Sequence, residues 1–217
     1  LTEVGQVGGM GKGERIFAVR FIGNLGYVVT FRQTDPFYTL DLTDPKTPKV
    51  RGELKITGYS GYLHPIEENL ILGIGQEATE EGVTTGTKAA LYNVKNLDDP
   101  KVVSTWSPGS GRSSAEWDHH AFLWWAPERI AVLPIRDWRN DKAEAVMLKV
   151  ENGDLEEFGR ITHSERGSPP DAKPAFMIPI ERSLIVGDEI WTYSFPHSAY
   201  GQLQANLMTD LSVSKKV

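Results

Sequence analysis

Two histidines and one aspartate supply the side chains with which this sequence could bind a metal ion. His64 and His119 occur in strand-like segments, at corresponding points of two successive sequence repeats. Neutral imidazole and carboxylate groups are ligands that Zn²⁺ and other divalent ions accept. His64, Asp118 and His119 are therefore a candidate metal site, of the kind that a hydrolase or lactonase would use.

The same three residues have a structural interpretation, which we favour. Side chains alternate between the two faces of a strand, so Asp118 and His119 would point in opposite directions unless a bulge intervened. Each histidine would then bond a carbonyl or carboxylate of a neighbouring repeat and fix its packing. We accordingly expect no cofactor, with a divalent ion, Ca²⁺ or Zn²⁺, as the alternative.

Arginines in or beside predicted strands could bind an anion. We take Arg20 and Arg182 as candidate ligand-binding residues, and Arg32 and Arg136 occur in similar positions. The alternative is that each guanidinium pairs with a carboxylate of the next repeat, which would make these arginines structural.

Two further chemistries are only weakly indicated. The segment 113–119 contains serine, aspartate and histidine, the residue types of a hydrolase triad. No Gly-x-Ser-x-Gly elbow accompanies them. Acidic turns at 41–44, 96–99 and 152–154 could offer oxygen ligands to Ca²⁺. None has EF-hand spacing, and acidic residues in turns usually serve turn geometry.

All of these residues lie on a chain that repeats one unit of strands and turns. Residues 26–65 contain an apolar strand, a turn, an alternating strand, an Asp-Pro-Lys turn and a further alternating strand at Val50–Ile56. A second Asp-Pro-Lys turn, again followed by a Val-rich strand, begins at Asp99, and weaker copies cover 144–161 and 202–214. A spacing of roughly 50 residues is typical of β-propeller blades.

The sequence therefore predicts an all-β protein: a β-propeller of about four blades with four antiparallel strands each, forming part of a larger propeller. The predicted blades cover residues 14–57, 58–107, 108–163 and 164–217. Residues 1–13 are predicted to be the outer strand of a preceding blade, at Leu1–Val7, and its Gly-rich linker. An open arc would expose apolar blade faces, so we expect self-association.

Inner strands are the elements that would position the candidate metal ligands. His64 belongs to the predicted inner strand of one blade, and 117–125 is predicted to be the inner strand of the next, with Asp118 and His119 on it. Propeller blades surround a central channel. The prediction therefore places both imidazoles beside that channel.

Composition excludes several classes of partner and site. The formal charge of -6 argues against a nucleic-acid partner, because binding to phosphates needs a basic surface. The absence of cysteine excludes disulfides, thiol catalysis and cysteine metal sites. No apolar run approaches the ~20 residues that cross a bilayer. A first residue other than Met indicates a fragment or a processed product.

Five strings of the sequence resemble a known family. They are residues 13–23, 26–36, 58–65, 118–123 and 182–188. Together they resemble the bacterial and archaeal secreted proteins that carry a C-terminal β-propeller domain, a largely uncharacterised family with no established reaction. The resemblance spans nearly the whole chain, and it implies an extracytoplasmic propeller of which this chain is the C-terminal part.

Two functions from different classes follow. The first, which we favour, is a non-enzymatic binding or scaffold module outside the cytoplasm that contacts protein or glycan through the polar loops 76–88 and 107–116. The second is a metal-dependent hydrolase or lactonase with its site in the channel, formed by His64, Asp118 and His119. A stoichiometric divalent ion would favour the second function, and a metal-free channel the first.

Overall fold

The computed structural model describes residues 2–31, 35–163, 178–195 and 201–217 of the chain. Within these ranges the regular elements are seventeen β-strands and two 3-10 turns of three residues each. The same ranges contain no helix with the length and apolarity that a membrane crossing requires. The strands form four antiparallel sheets, and the chain divides into two compact units, Leu1–Gly109 and Ser110–Val217.

The first unit contains two sheets, and each runs in sequence order from its first strand to its fourth. The first sheet consists of β1 (Arg15–Ile22), β2 (Leu25–Phe31), β3 (Asp35–Asp41) and β4 (Lys49–Ile56). The second consists of β5 (Tyr59–Glu67), β6 (Leu70–Ala78), β7 (Thr84–Asn93) and β8 (Lys101–Trp106). The predicted order of strands and turns is confirmed in both sheets.

The second unit contains the other two sheets, which follow the same order. The third sheet consists of β10 (Leu123–Trp125), β11 (Ile130–Asp137), β12 (Lys142–Glu151) and β13 (Asp154–Ile161), with the two-residue strand β9 (Arg112–Ser113) beside β11. The fourth consists of β14 (Ile180–Val186), β15 (Glu189–Ser194), β16 (Gln202–Leu207) and β17 (Val213–Lys216).

Two predictions of local structure are wrong. The predicted loop 76–88 is mostly strand, since β6 and β7 pair along it and leave only residues 79–83 as the hairpin turn. The predicted loop 107–116 contains β9 and a 3-10 turn. Residues 2–7 pair with no strand among the described residues, and their assignment to a preceding blade stays a prediction.

Stacked aromatic rings join the two sheets of the first unit. Phe37 of the first sheet lies parallel to Tyr92 of the second, with ring centroids 4.4 Å apart and an angle of 3° between the planes. Tyr27 stacks on the other side of Phe37 at 5.9 Å. The Tyr92 hydroxyl lies 2.9 Å from Ser60 Oγ, so this buried phenol is hydrogen-bonded. These rings form the centre of the apolar core between the two sheets.

Polar contacts fix the outer edge of the same interface. Arg51 on β4 donates two hydrogen bonds, each 2.8 Å long, to the Asp98 carboxylate in the turn between β7 and β8. The Thr39 hydroxyl donates to the carbonyl of Leu97 in that turn and accepts from the Gly52 N–H. The Asp-Pro-Lys turn between β7 and β8 thus reverses the chain and also forms hydrogen bonds with the first sheet.

The core of the second unit is aliphatic. Ile130, Val132 and Met147 from the third sheet pack with Ile180 and Ile190 from the fourth, and each of these side chains is at most 3% exposed. The alternation of buried and exposed residues along β15 places its buried face on this core. The cores of the first and second units are thus built in the same way, from apolar side chains on the facing strands of two sheets.

The last strand of every sheet contains one extra residue. The register shifts between β3 and β4, β7 and β8, β12 and β13, and β16 and β17, at corresponding positions. The residues left without a cross-strand partner are Arg51, Val103, Phe158 and Ser214. Such a β-bulge bends the strand and increases its twist. Its recurrence shows that the four sheets are copies of one structural unit.

We predict that Gly52→Ala destabilises the first unit. A Cβ at Gly52 would lie 2.3 Å from the Leu97 carbonyl oxygen and 2.7 Å from Pro100 Cδ, so backbone would have to move. We expect the free energy of unfolding in urea to fall by about 2–4 kcal/mol. Gly8→Ala is the matched control, because a Cβ there has no atom within 4 Å. Equal stability of the two variants would show that the contact between β4 and the turn is loose.

Candidate functional site

Arg20, Tyr62 and His64 form a polar cluster on the first strands of the two sheets of the first unit. Arg20 lies on β1, while Tyr62 and His64 lie two residues apart on β5 and share a face. The Tyr62 hydroxyl is 2.9 Å from His64 Nδ1. All three side chains are half-buried. The sequence identified Arg20 and His64 separately, and the fold brings them together on neighbouring strands.

The electrostatics of this cluster keep His64 neutral near pH 7. Burial, and then the positive charge of Arg20, lower the pKa of His64 to about 4. Burial raises the pKa of Tyr62, and the charge of Arg20 opposes that rise. The cluster therefore carries one permanent positive charge, on Arg20, beside two neutral aromatic groups.

Asp118 and His119 do not lie on an inner strand, which corrects the prediction for residues 117–125. They begin a 3-10 turn over His119–Ala121, and β10 starts only at Leu123. The Asp118 carboxylate accepts the His120 N–H at 3.1 Å, which caps this turn and competes with extended structure. Asp118 is therefore the N-cap of this 3-10 turn, and His119 is its first residue.

The Asp118 carboxylate is paired with the second candidate arginine. Arg182 on β14 lies 2.8 Å from Asp118 Oδ2, and this pair joins the turn to the fourth sheet. The guanidinium and the His120 N–H outweigh partial burial, so the pKa of Asp118 lies below its usual range. Arg136 of β11 pairs in the same way with Glu181 of β14. Arg182 and Arg136 are thus both in ion pairs with carboxylates, which agrees with the structural alternative considered for these arginines.

The described residues contain no group of three His, Asp or Glu side chains that could hold a metal ion. The metal site at His64, Asp118 and His119 stays a prediction. The acidic turns considered for Ca²⁺ show local bonding: Asp44 accepts hydrogen bonds from the Lys46 N–H and the Thr47 hydroxyl. Arg32 lies outside the described residues.

Ser113, the first residue of the segment considered for a hydrolase triad, is fully buried. Its hydroxyl accepts the Ala115 N–H at 3.3 Å and caps a 3-10 turn over Ser114–Glu116. The hydroxyl thus has a local structural role at the start of the turn.

The sequence analysis missed a buried histidine in the second unit. His163 is 3% exposed, and its Nδ1 lies 2.6 Å from Ser194 Oγ. Its Nε2 lies 2.7 Å from Thr192 Oγ1. Burial, and then the charge of Lys216, lower the pKa of His163 to about 4. The alternating strand that carries Thr192 and Ser194 could have indicated a polar inner face, although nothing local pointed to His163.

The bonds of His163 belong to a larger buried network. Thr192 donates to the carbonyl of Gln204, and the Gln204 side-chain amide donates to the Thr162 carbonyl and to the Asn206 side chain. Asn206 in turn donates to the carbonyl of Leu211. This network connects the segment after β13 to the fourth sheet, and its position inside the fold indicates a structural role.

We predict that His163 makes the stability of the chain depend on pH. The unfolded chain binds the proton more readily than the folded chain, so the stabilisation from neutral His163 is complete above pH 6.5 and decreases as the pH falls towards 4. The shift corresponds to roughly 3 kcal/mol at 1.36 kcal/mol for each pH unit. Urea unfolding at several pH values should show this fall, and His163→Gln should reduce its size. If the free energy of unfolding changes with pH in the same way for the original chain and for His163→Gln, His163 is not the source of the pH dependence.

We also predict that Arg20→Ala raises the pKa of His64. The charge of Arg20 is the smaller of the two causes that lower this pKa, so the value should rise but stay below 6.5 because the burial remains. Titration of the His64 ring signals by NMR measures the change. Arg15→Ala on the same strand is the control and should leave the pKa unchanged. No difference between the two variants would show that Arg20 does not act on His64.

Comparison with known proteins agrees with the architecture. A family model described as "Beta propeller domain" matches residues 1–204. An uncharacterized protein of Methanocaldococcus jannaschii is 44% identical over 194 residues, which are 89% of this chain and 27% of that protein. An uncharacterized protein of Archaeoglobus fulgidus is 46% identical over 134 residues, which are 62% of this chain and 21% of that protein. The chain thus spans about a quarter of the length of these relatives.

The chain also aligns with solved structures at low sequence identity. A hypothetical selenium-binding protein from Sulfolobus tokodaii aligns with a TM-score of 0.52 at 13% identity, over 99% of this chain and 51% of that one. TolB from Acinetobacter baumannii aligns with a TM-score of 0.44 at 11% identity, over 92% of this chain and 43% of that one. The prediction of an all-β propeller fold is confirmed by the four sheets and the family match together. The chain belongs to the β-propeller domain family.

Proposed function

We propose that this chain is a non-enzymatic binding module that recognises an anionic group of its ligand at Arg20. One observation carries the proposal: Arg20 is half-buried, yet among the described residues no carboxylate forms an ion pair with it. Partly burying a charge without a partner is unfavourable, and an anionic ligand would supply that partner.

Other arginines on strands show that Arg20 differs from its counterparts. Arg51 pairs with Asp98 and Asp41, Arg160 with Glu144 and Glu157, and Arg182 with Asp118. In those cases the guanidinium holds strands or turns together. Arg20 is left for another role, which supports the use of its charge in binding.

The surroundings of Arg20 suit a carboxylate ligand. A guanidinium presents several N–H donors in one plane and binds carboxylates in bidentate geometry. His64 is neutral near pH 7, so the positive charge that would attract an anion is that of Arg20. Tyr62 and His64 offer aromatic surface beside the charge. The proposed ligand is therefore a protein or glycan that presents a carboxylate, such as a glutamate or a uronic acid.

We infer that this binding takes place outside the cytoplasm. The inference rests on the sequence resemblance to secreted proteins with a C-terminal β-propeller domain. Digestion of intact cells with an added protease tests it, since an external module is cut while a cytoplasmic marker protein survives. Equal protection of both proteins would contradict this location.

We predict that the purified chain binds acidic probes through Arg20. A glutamate-rich peptide and a uronic-acid oligosaccharide are titrated separately by calorimetry, and the stronger of the two identifies the ligand class. Arg20→Ala should weaken that binding at least ten-fold, because the charge-assisted contact is lost. Arg15→Ala removes an exposed arginine of the same strand and should leave it unchanged.

Two results would overturn this function. Equal weakening by both variants would show attraction to net charge alone, and no binding of either probe would contradict a carboxylate site. Metal analysis of the same sample separates the proposal from a metal-dependent hydrolase: a stoichiometric divalent ion that is lost in His64→Ala would favour the enzyme.

A further inference from the structure

A glycine on the last strand of a sheet lies against the turn of the sheet that follows it. A Cβ at Gly52 of β4 would be 2.3 Å from the carbonyl oxygen of Leu97, in the turn between β7 and β8. A Cβ at Gly159 of β13 would be 2.4 Å from Leu211 Cδ1, in the turn between β16 and β17. Each glycine directly follows the residue that forms the bulge of its strand. The first sheet of each unit therefore makes the same contact with the second sheet of that unit.

Gly5 makes the same contact although it belongs to none of the four sheets. A Cβ at Gly5 would lie 2.2 Å from the carbonyl oxygen of Pro45, in the turn between β3 and β4 of the first sheet. Gly5 is thus related to the first sheet as Gly52 is related to the second. The position of Gly5 is that of the last strand of a sheet preceding the first.

The residues after Gly5 continue the correspondence. In β4 the residue two positions after Gly52 is Leu54, which packs against the core between the first and second sheets. The residue two positions after Gly5 is Val7, which packs with Met10 on the opposite face of the first sheet. That face consists of the buried side chains Val28, Tyr38 and Leu40. Residues 2–10 therefore cover the outer part of this face, as a last strand and its linker would.

The inner part of the same face is exposed. Val19 pairs with Val28 and Phe21 with Gly26 in the register of β1 and β2, so both side chains lie on this face. Val19 is 45% exposed and Phe21 63%. Leu63, on the first strand of the second sheet, is 2% exposed and belongs to the core between the two sheets. The first sheet has a similar apolar face, but the described residues leave its inner part open.

We propose that residues 2–7 are the outer strand of a further blade, and that its three inner strands come from polypeptide outside this 217-residue chain. Those strands would pair with the free edge of residues 2–7 and cover Val19 and Phe21 with apolar side chains. The longer archaeal relatives contain sequence from which such strands could come, since this chain spans only 27% of the M. jannaschii protein.

The geometry favours three added strands over a second copy of this chain. Within the described residues, every sheet that a copy could offer already has its own last strand in place. The position of that last strand on the first sheet is occupied by residues 2–7, through Gly5 and Val7. A complete sheet would have to displace this segment, whereas three strands would fit beside it.

We predict that the face is covered in the complete gene product. The 217-residue chain contains no cysteine, so Phe21→Cys introduces its single thiol, and in either protein the mass of the peptide that carries position 21 reports the rate at which this thiol reacts with a maleimide. We expect the thiol to react at least ten-fold more slowly in the complete gene product than in the 217-residue chain. Val83→Cys is the control, because Val83 is also 63% exposed but lies in the turn between β6 and β7. Its rate should be the same in both proteins.

Each other outcome would overturn the proposal. Equal rates at position 21 in the two proteins would show that no further strands cover the face. Slow reaction at position 21 in the 217-residue chain, together with twice the monomer mass in light scattering, would show that a second copy covers it. Slower reaction at both positions in the complete gene product would indicate general shielding and no specific blade.

Discussion

Within each unit, the two sheets depend on each other to bury an apolar face. Phe37 and Tyr92 illustrate the constraint, because each ring is completely buried only when the two sheets lie against each other. A sheet with apolar side chains on both faces cannot be stable alone in water. In the first sheet of each unit, the glycine after the bulge lies close to the turn of the second sheet, which brings the two sheets near enough for this burial.

The polar residues divide according to what this packing demands of them. The pair of Arg182 with Asp118 and the buried bonds of His163 link consecutive segments, so these groups support the fold. Arg20 is different, because the fold holds its charge beside Tyr62 and His64 but provides no carboxylate among the described residues. This contrast within one set of repeated sheets is the reason for proposing Arg20 as a binding residue.

The outer face of the first sheet is only partly covered. Residues 2–10 cover part of this face through Val7 and Met10, while Phe21 remains exposed. A repeat with an uncovered apolar face needs a cover or a further repeat. The binding proposal at Arg20 does not depend on this face, since Arg20 shares its side of β1 with Ala18, which packs towards the second sheet.

The sequence by itself determined the architecture: alternating apolar residues and Asp-Pro-Lys turns are local signals, and they predicted the sheets, their antiparallel order and strands such as Arg15–Ile22. It also identified Arg20 and His64, because residue type alone made them candidates. Only the tertiary structure decided that Asp118 pairs with Arg182, and that His163 lies buried against Thr192 and Ser194. These contacts join residues that are distant in sequence, and the physical reason is that a side chain's partner is set by the register and packing of whole sheets, which no local pattern encodes.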